Sequence, residues 1–275
     1  MDKNIILLII YTIIIIFLYY FFNTKFVINT LSHNYHAIYS SIYVLFGYNK
    51  CKKINDKIIQ CNDSNKKFYC YINDTVITNN IKAGIPWEKF MHQYFKKYSD
   101  KNKIALDIGS NIGTHTIYLS DYFKEVYAFE PQKNIFKILE LNVKLNNSTN
   151  IITHNFGLGD VNKNEKMESY DVNSLVNQGA IGIDKTGNSN GETINIKILD
   201  EMNLDNIKFI KIDVEGYEYN VLKGAKKTIE KSRPIIIIEI NYKSIKDYFN
   251  ILNFFNEINY KLIRISMDDC LAIPL

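Results

Sequence analysis

Cysteine, proline and arginine are scarce in this sequence, and each scarcity excludes something. Four cysteines in 275 residues cannot staple a disulfide-dense miniprotein. Cys51, Cys61, Cys70 and Cys270 are also spaced too widely for the paired C-x-x-C of a zinc site. In reducing surroundings they read as small buried or surface thiols, and in an oxidising lumen as disulfide partners. Four prolines and 12 glycines exclude a collagen-like repeat. A charge excess is missing too: 33 Lys+Arg against 29 Asp+Glu leave +4, and Arg233 and Arg264 are the only arginines. So small an excess sets nucleic acid aside as a primary partner, because that requires clustered basic residues. With 47% hydrophobic residues, the chain can bury one good-sized core.

Long hydrophobic runs are equally rare, with one exception. Residues 5–22 read IILLIIYTIIIIFLYYFF, 18 residues without a charge, of which 14 are Ile, Leu or Phe. As a helix this run spans about 27 Å, close to the hydrocarbon thickness of a bilayer. It is longer than a signal-peptide core and is followed by no small-residue cleavage site, so it is expected to be an uncleaved single-pass anchor. Lys3 and Lys25 nearly balance across it, and the side of the membrane on which the body lies stays open. Residues 23–65, rich in Asn, Lys and Ser, read as a stem or irregular subdomain, and residues 66–275 as one catalytic-sized body.

From about residue 100, short β-rich runs alternate with amphipathic stretches, the pattern of an α/β protein with a mostly parallel sheet. The expected strands are Lys103–Ile108, Glu125–Phe129, Asn150–Asn155, Lys208–Ile212, Pro234–Ile240, Tyr260–Ile265 and Leu271–Leu275. Gln132–Asn146 and Glu218–Lys231 carry apolar residues on one helical face. Residues 157–206 interrupt this rhythm with scattered glycines, and only Thr193–Ile198 alternates like a strand; an inserted hairpin with a mobile loop is expected.

Two motifs carry chemistry. The first is Leu106-Asp107-Ile108-Gly109-Ser110-Asn111-Ile112-Gly113, a strand entering a glycine turn ahead of a helix. Gly109 permits the sharp turn, Gly113 a close approach, and the helix start offers unpaired N–H groups. The next strand ends in Phe129-Glu130-Pro131, placing a carboxylate 17 residues beyond Gly113, where it could accept both ribose hydroxyls of a nucleoside. A dinucleotide such as NAD needs a second glycine where Asn111 stands, and Asp107 would repel its phosphates. S-adenosylmethionine fits better: it has no phosphate, a ribose for Glu130, and an ammonium end that Asp107 could organise directly or through water. The second motif is Phe209-Ile210-Lys211-Ile212-Asp213-Val214-Glu215-Gly216, an apolar strand ending in acids. Strand ends face the ligand crevice of an open α/β sheet, so Asp213, Glu215 and, on the next strand, Glu239 are the expected catalytic groups. Acids there could instead cap the helix from Glu218.

In order along the chain, LDIGSNIGTHTIYLS, VYAFEPQKNIF, FGLGD and the stretch around KIDVEGYE resemble the FkbM family of class I S-adenosylmethionine-dependent methyltransferases. The resemblance covers roughly residues 68–266, beginning with the Gly84–Glu88 segment. It implies a Rossmann-like seven-stranded sheet with a reversed last hairpin, and methylation of a hydroxyl on a sugar, glycolipid or small molecule. It also implies that Asp107, Gly109, Asn111, Gly113 and Glu130 hold the cofactor and that Asp213, Glu215 and Gly216 form the family's DVEG signature.

Methyl transfer requires an oxygen nucleophile held opposite sulfur and relieved of its proton. Asp213 is the expected base or orienting group, assisted by Glu215 or Glu239. His115, just past the turn, is a weaker candidate for that role and reads by default as a helix-surface residue. Asp213 and Glu239 could also ligate Mg²⁺, but two acids fall short of a metal site, and none is assigned. Two rival functions remain: an NAD-linked nucleotide-sugar enzyme, for which the Tyr219…Lys223 spacing reads as ordinary helix, and a non-catalytic membrane-anchored binding module.

Overall fold

The computed structural model describes residues 51–167, 182, 191–240 and 244–275. The anchor expected over residues 5–22 and most of the expected stem lie outside them, as does nearly all of the loop expected to be mobile. Among the described residues no helix is long and apolar enough to cross a membrane.

The core is a seven-stranded sheet flanked by helices. Its strands are β4 (Asp100–Ile108), β5 (Phe123–Phe129), β6 (Ile151–His154), β10 (Ile207–Ile212), β11 (Ile235–Glu239), β12 (Tyr260–Arg264) and β13 (Asp269–Pro274), in the order β12-β13-β11-β10-β4-β5-β6. β11, β10, β4, β5 and β6 pair in parallel, while β13 runs antiparallel to both neighbours. The sheet is therefore mixed, with the reversal confined to the last hairpin. Ile235–Ile238 and Phe209–Ile212 are buried at every position, because both faces of a central parallel strand are covered; this explains the unbroken apolar run of the first, while the second is interrupted only by Lys211.

Three more strands, β7 (Gly157–Leu158), β8 (Lys163–Lys166) and β9 (Thr193–Lys197), form a small inserted sheet ordered β7-β9-β8. Of the helices, α1 is Ile77–Lys82, α2 His92–Lys97, α3 Thr114–Leu119 and α4 Lys133–Leu145. The helix expected over Glu218–Lys231 is two, α5 (Glu218–Gly224) and α6 (Lys226–Ser232). A Cβ on Gly224 would lie 1.9 Å from the Gly159 carbonyl oxygen, so the bare backbone there seats the inserted sheet against α5. The last helix, α7 (Ile245–Glu257), was not anticipated; Ser244 caps it by accepting a hydrogen bond from the Asp247 amide at 3.2 Å.

The division expected at residues 65 and 66 falls within an antiparallel hairpin. β2 (Ile58–Asn62) pairs with β3 (Lys67–Tyr71), and β1 (Lys52–Lys53) adds to its edge, so residues 51–71 form one sheet packed on α4. Cys51 and Cys61 are disulfide-bonded across it, while Cys70 and Cys270 are buried thiols. Asn142 of α4 is fully buried and ties this sheet to the body. Its Oδ1 accepts from the Tyr69 amide (2.6 Å), and its Nδ2 donates to the carbonyls of Tyr69 (3.1 Å) and Ile112 (2.8 Å). Asn142→Ala would leave these backbone groups unpaired in the interior, at a cost of about 2–4 kcal/mol. A urea titration should show the fall in midpoint, with faster hydrogen exchange at the Tyr69 amide.

Candidate active site

The carboxyl ends of β4, β5 and β10 converge on a pocket, and each brings one group. At the end of β4 the chain turns through Gly109, at φ +83°, and Gly113, at φ +89°. A Cβ on Gly109 would sit 1.7 Å from the Asp213 carbonyl oxygen, so only a hydrogen fits between the two strand ends. Gly113 answers a different need: a Cβ there would meet Leu139 of α4 at 2.6 Å, so its closeness serves helix packing and it is not in the pocket wall. Asn111 takes the left-handed conformation at φ +48° and lines the pocket.

Glu130, at the tip of β5, is 4% exposed and lines the pocket. Its two oxygens accept the amides of Asn111 (3.0 Å) and Gln132 (2.9 Å), which aims the carboxylate across the turn. Burial pushes its pKa up to about 7, against the pull of those two N–H groups. Each oxygen keeps acceptor capacity for a further donor.

Asp107 departs from its expected place. It is fully buried beneath the turn and absent from the pocket wall. Thr116 donates to its Oδ2 at 2.5 Å, Lys211 lies 3.9 Å from its Oδ1, and Oδ1 accepts no hydrogen bond. Asp107 thus braces the turn from below. Lys211, missed in the sequence, is 3% exposed and reaches Asp213 at 3.0 Å. Although burial opposes its charge, Asp213 and Asp107 raise its pKa and keep it an ammonium. The signal was present: a lone lysine inside an apolar strand needs a buried carboxylate partner.

His115 is another correction. It is 3% exposed, not on the surface, and its Nε2 lies 2.9 Å from Glu88, whose own segment precedes the core. Burial, then Lys211, lowers its pKa to about 3, so the imidazole is neutral. Trp87 joins the pocket wall from the same segment.

Of the acids expected to react, Asp213 and Glu215 line the pocket. Glu239 does not, but it offers an oxygen within 4.8 Å of oxygens of both, so the three carboxylates form one cluster with the geometry to hold a cation. The capping role falls to Glu218, whose Oε1 accepts from the amides of Val214 (3.1 Å) and Gly216 (3.0 Å). Tyr217, Leu158, Met167, Ile194 and Ile196 close the pocket from the side of the inserted sheet.

A sequence model of the Methyltransferase FkbM domain matches residues 107–262, more than half of the chain. The chain belongs to the FkbM methyltransferase family. Hexuronic acid methyltransferase AglP of Haloferax volcanii is 28% identical over 148 residues, 52% of this chain and 58% of AglP. Methyltransferase 1 of Beauveria bassiana is 25% identical over 153 residues, 45% of this chain and 58% of its own. The chain thus spans less than two thirds of the curated relatives it matches. Among solved structures, methyltransferase FkbM of Methylobacillus flagellatus superposes with a TM-score of 0.48 at 19% identity, over 72% of this chain and 52% of that one.

The FkbM turn makes a direct prediction. Gly109→Ala should cost at least about 2 kcal/mol, because the new methyl must displace backbone at a positive φ. An unchanged urea midpoint would contradict the contact with Asp213.

Proposed function

We propose that this FkbM-family protein is an S-adenosylmethionine-dependent O-methyltransferase acting on a sugar hydroxyl, carried on a membrane by its N-terminal segment. The observation that carries the cofactor assignment is Glu130: a pocket carboxylate aimed by two amides across a glycine turn suits a ribose. The wall beside it is apolar, with Leu158, Met167, Ile194 and Ile196 available to a purine face. A sugar acceptor is suggested by the hexuronic acid in the archaeal relative's name. The tether rests on the 18 uncharged residues from Ile5 to Phe22.

When bound, S-adenosylmethionine supplies a methyl group on a sulfonium, open to in-line displacement. This chain must then orient the acceptor and receive its proton. Asp213 stands at the end of β10 with its side chain 31% exposed. Lys211 holds its Oδ2, which fixes the direction of the carboxylate and leaves lone pairs for an acceptor hydroxyl. As the hydroxyl oxygen attacks, its O–H bond breaks and the proton passes to Asp213, with Glu215 and Glu239 near enough to share the charge change. His115, held by Glu88 at 2.9 Å, forms part of the pocket wall.

Calorimetric titration of the full chain in detergent tests this reading, with S-adenosylmethionine and NAD⁺ as separate ligands. Micromolar binding of the first alone is expected; binding of NAD⁺ alone, or of neither, would overturn it. Glu130 gives the pH dependence. Ribose hydroxyls donate to the ionised carboxylate, so affinity should be highest above pH 7 and fall as pH drops through about 7, by up to tenfold per unit. Glu130→Gln should weaken binding and flatten that profile. Asp213→Asn should lower kcat by about 10²–10⁴-fold while cofactor affinity changes little; equal losses in both would exclude a role in the chemical step.

A further inference from the structure

The segment between α1 and α2 brings the sequence's one tryptophan to the pocket. Trp87 is half-buried: it packs on the core cluster that holds Ile77, Met91 and Phe95, and it also lines the pocket. Its backbone is fixed on both sides. The Gly84 and Ile85 amides donate to the Ile81 and Asn80 carbonyls of α1, at 2.9 and 3.0 Å, and the ring of Pro86 then locks φ. On the other side Glu88, at φ +44°, pairs with His115 at 2.9 Å and accepts the Met91 amide on its carbonyl at 2.8 Å. Such a backbone conformation persists only where its surroundings hold it. The backbone that carries the indole is therefore set before any ligand arrives, which lowers the ordering cost of a contact there.

The neighbours of Trp87 show which half of the pocket it serves. Burial lowers the pKa of Lys211, while Asp213, Asp107 and then Glu88 raise it; burial and then Glu88 push Asp269 up to about 8. The Glu88 carboxylate thus lies within electrostatic reach of β10 and of the first residue of β13, which puts the Trp87–Glu88 corner on the Asp213 side of the pocket. Phe129 and Tyr217 also line the pocket, and both are engaged elsewhere. Phe129 is fully buried and stacks on His154 with ring centres 4.9 Å apart, and Tyr217 packs with Met167, Ile194 and Ile196.

A pyranose presents two kinds of surface. Its hydroxyls need hydrogen-bond partners. Its axial C–H groups, made electropositive by the oxygens around them, form an apolar face that packs on the electron-rich face of an indole. Asp213, with its side chain 31% exposed, answers the first need and Trp87 the second.

We propose that Trp87 is the platform on which the sugar acceptor stacks, and that this contact selects pyranoses with an unbroken C–H face, neutral or anionic, for methylation beside Asp213. The proposal rests on the sugar methyltransferase reading and adds to it the residue that holds the ring.

The single tryptophan supplies its own readout. Fluorescence excited selectively over tyrosine would follow the full chain, in a detergent without a sugar headgroup and saturated with S-adenosylhomocysteine, as methyl β-glucoside, methyl β-glucuronide or glucitol is added. Saturation-transfer NMR reports binding independently. A saturable blue shift is expected with at least one glycoside and none with glucitol, which has the hydroxyls but no ring face. By NMR, Trp87→Leu should weaken that glycoside at least about tenfold and Trp87→Phe no more than about threefold, with S-adenosylhomocysteine affinity changed less than about twofold in both. Glycoside binding without a shift, or equally tight binding by Trp87→Leu, would overturn the proposal while leaving a sugar acceptor in place. Glucitol bound as tightly as the glycosides, or neither glycoside bound by the loaded chain, would overturn it as well. A loss of S-adenosylhomocysteine affinity in Trp87→Leu would do the same by putting the indole on the cofactor. Failure of the unaltered chain to take up S-adenosylhomocysteine would instead strike the methyltransferase reading itself.

Discussion

The contact on which the site depends is backbone against backbone: Gly109, ending β4, pressed onto the Asp213 carbonyl that ends β10. The Asp213 amide also donates to Ile108 at 3.0 Å, so the two strand ends form one unit. Beneath them Lys211 sits between Asp107 and Asp213 with almost no exposure. A buried ammonium is tolerated only where carboxylates surround it, and those carboxylates in turn need it. The glycine turn and the acid cluster are therefore coupled, and neither can shift without the other.

Around this unit the residues divide by task. Asp107, Gly113, Thr116 and Glu218 hold loops: their hydrogen bonds or close contacts are made within the protein, beneath or behind the pocket. Glu130, Asp213 and Glu215 present carboxylates to the pocket itself. Glu130 belongs to both groups, since the amides that aim it come from the turn it faces and from the start of α4. Such dual use keeps the carboxylate fixed before any ligand arrives, which lowers the ordering cost of binding.

Much of this was legible in the sequence, for a local reason. Uninterrupted runs such as IIII at 235–238 admit a strand covered on both faces, and the glycines at 109 and 113 require positive φ or close approach wherever the chain folds. Other features were not legible because they depend on distant partners. His115 looked like a surface residue until Glu88, 27 positions earlier, closed over it. Glu218–Lys231 read as one helix because nothing in its own pattern shows Gly159 pressing on Gly224. The strand around Cys61 looked like stem because it reaches the body through its neighbour β3, whose Tyr69 is held by Asn142, 73 residues further along the chain.

By itself the sequence determined the seven strands of the main sheet, the two glycine-bearing turns, and the carboxylates at the ends of β5, β10 and β11, because periodicity, steric freedom and strand polarity are local properties. Tertiary structure alone decided what each acid does. Asp107 and Glu130 both end strands, yet one is sealed beneath the turn by Thr116 and Lys211 while the other faces the pocket. The difference lies in burial and charge partners, which only the packed sheet brings within reach of one another.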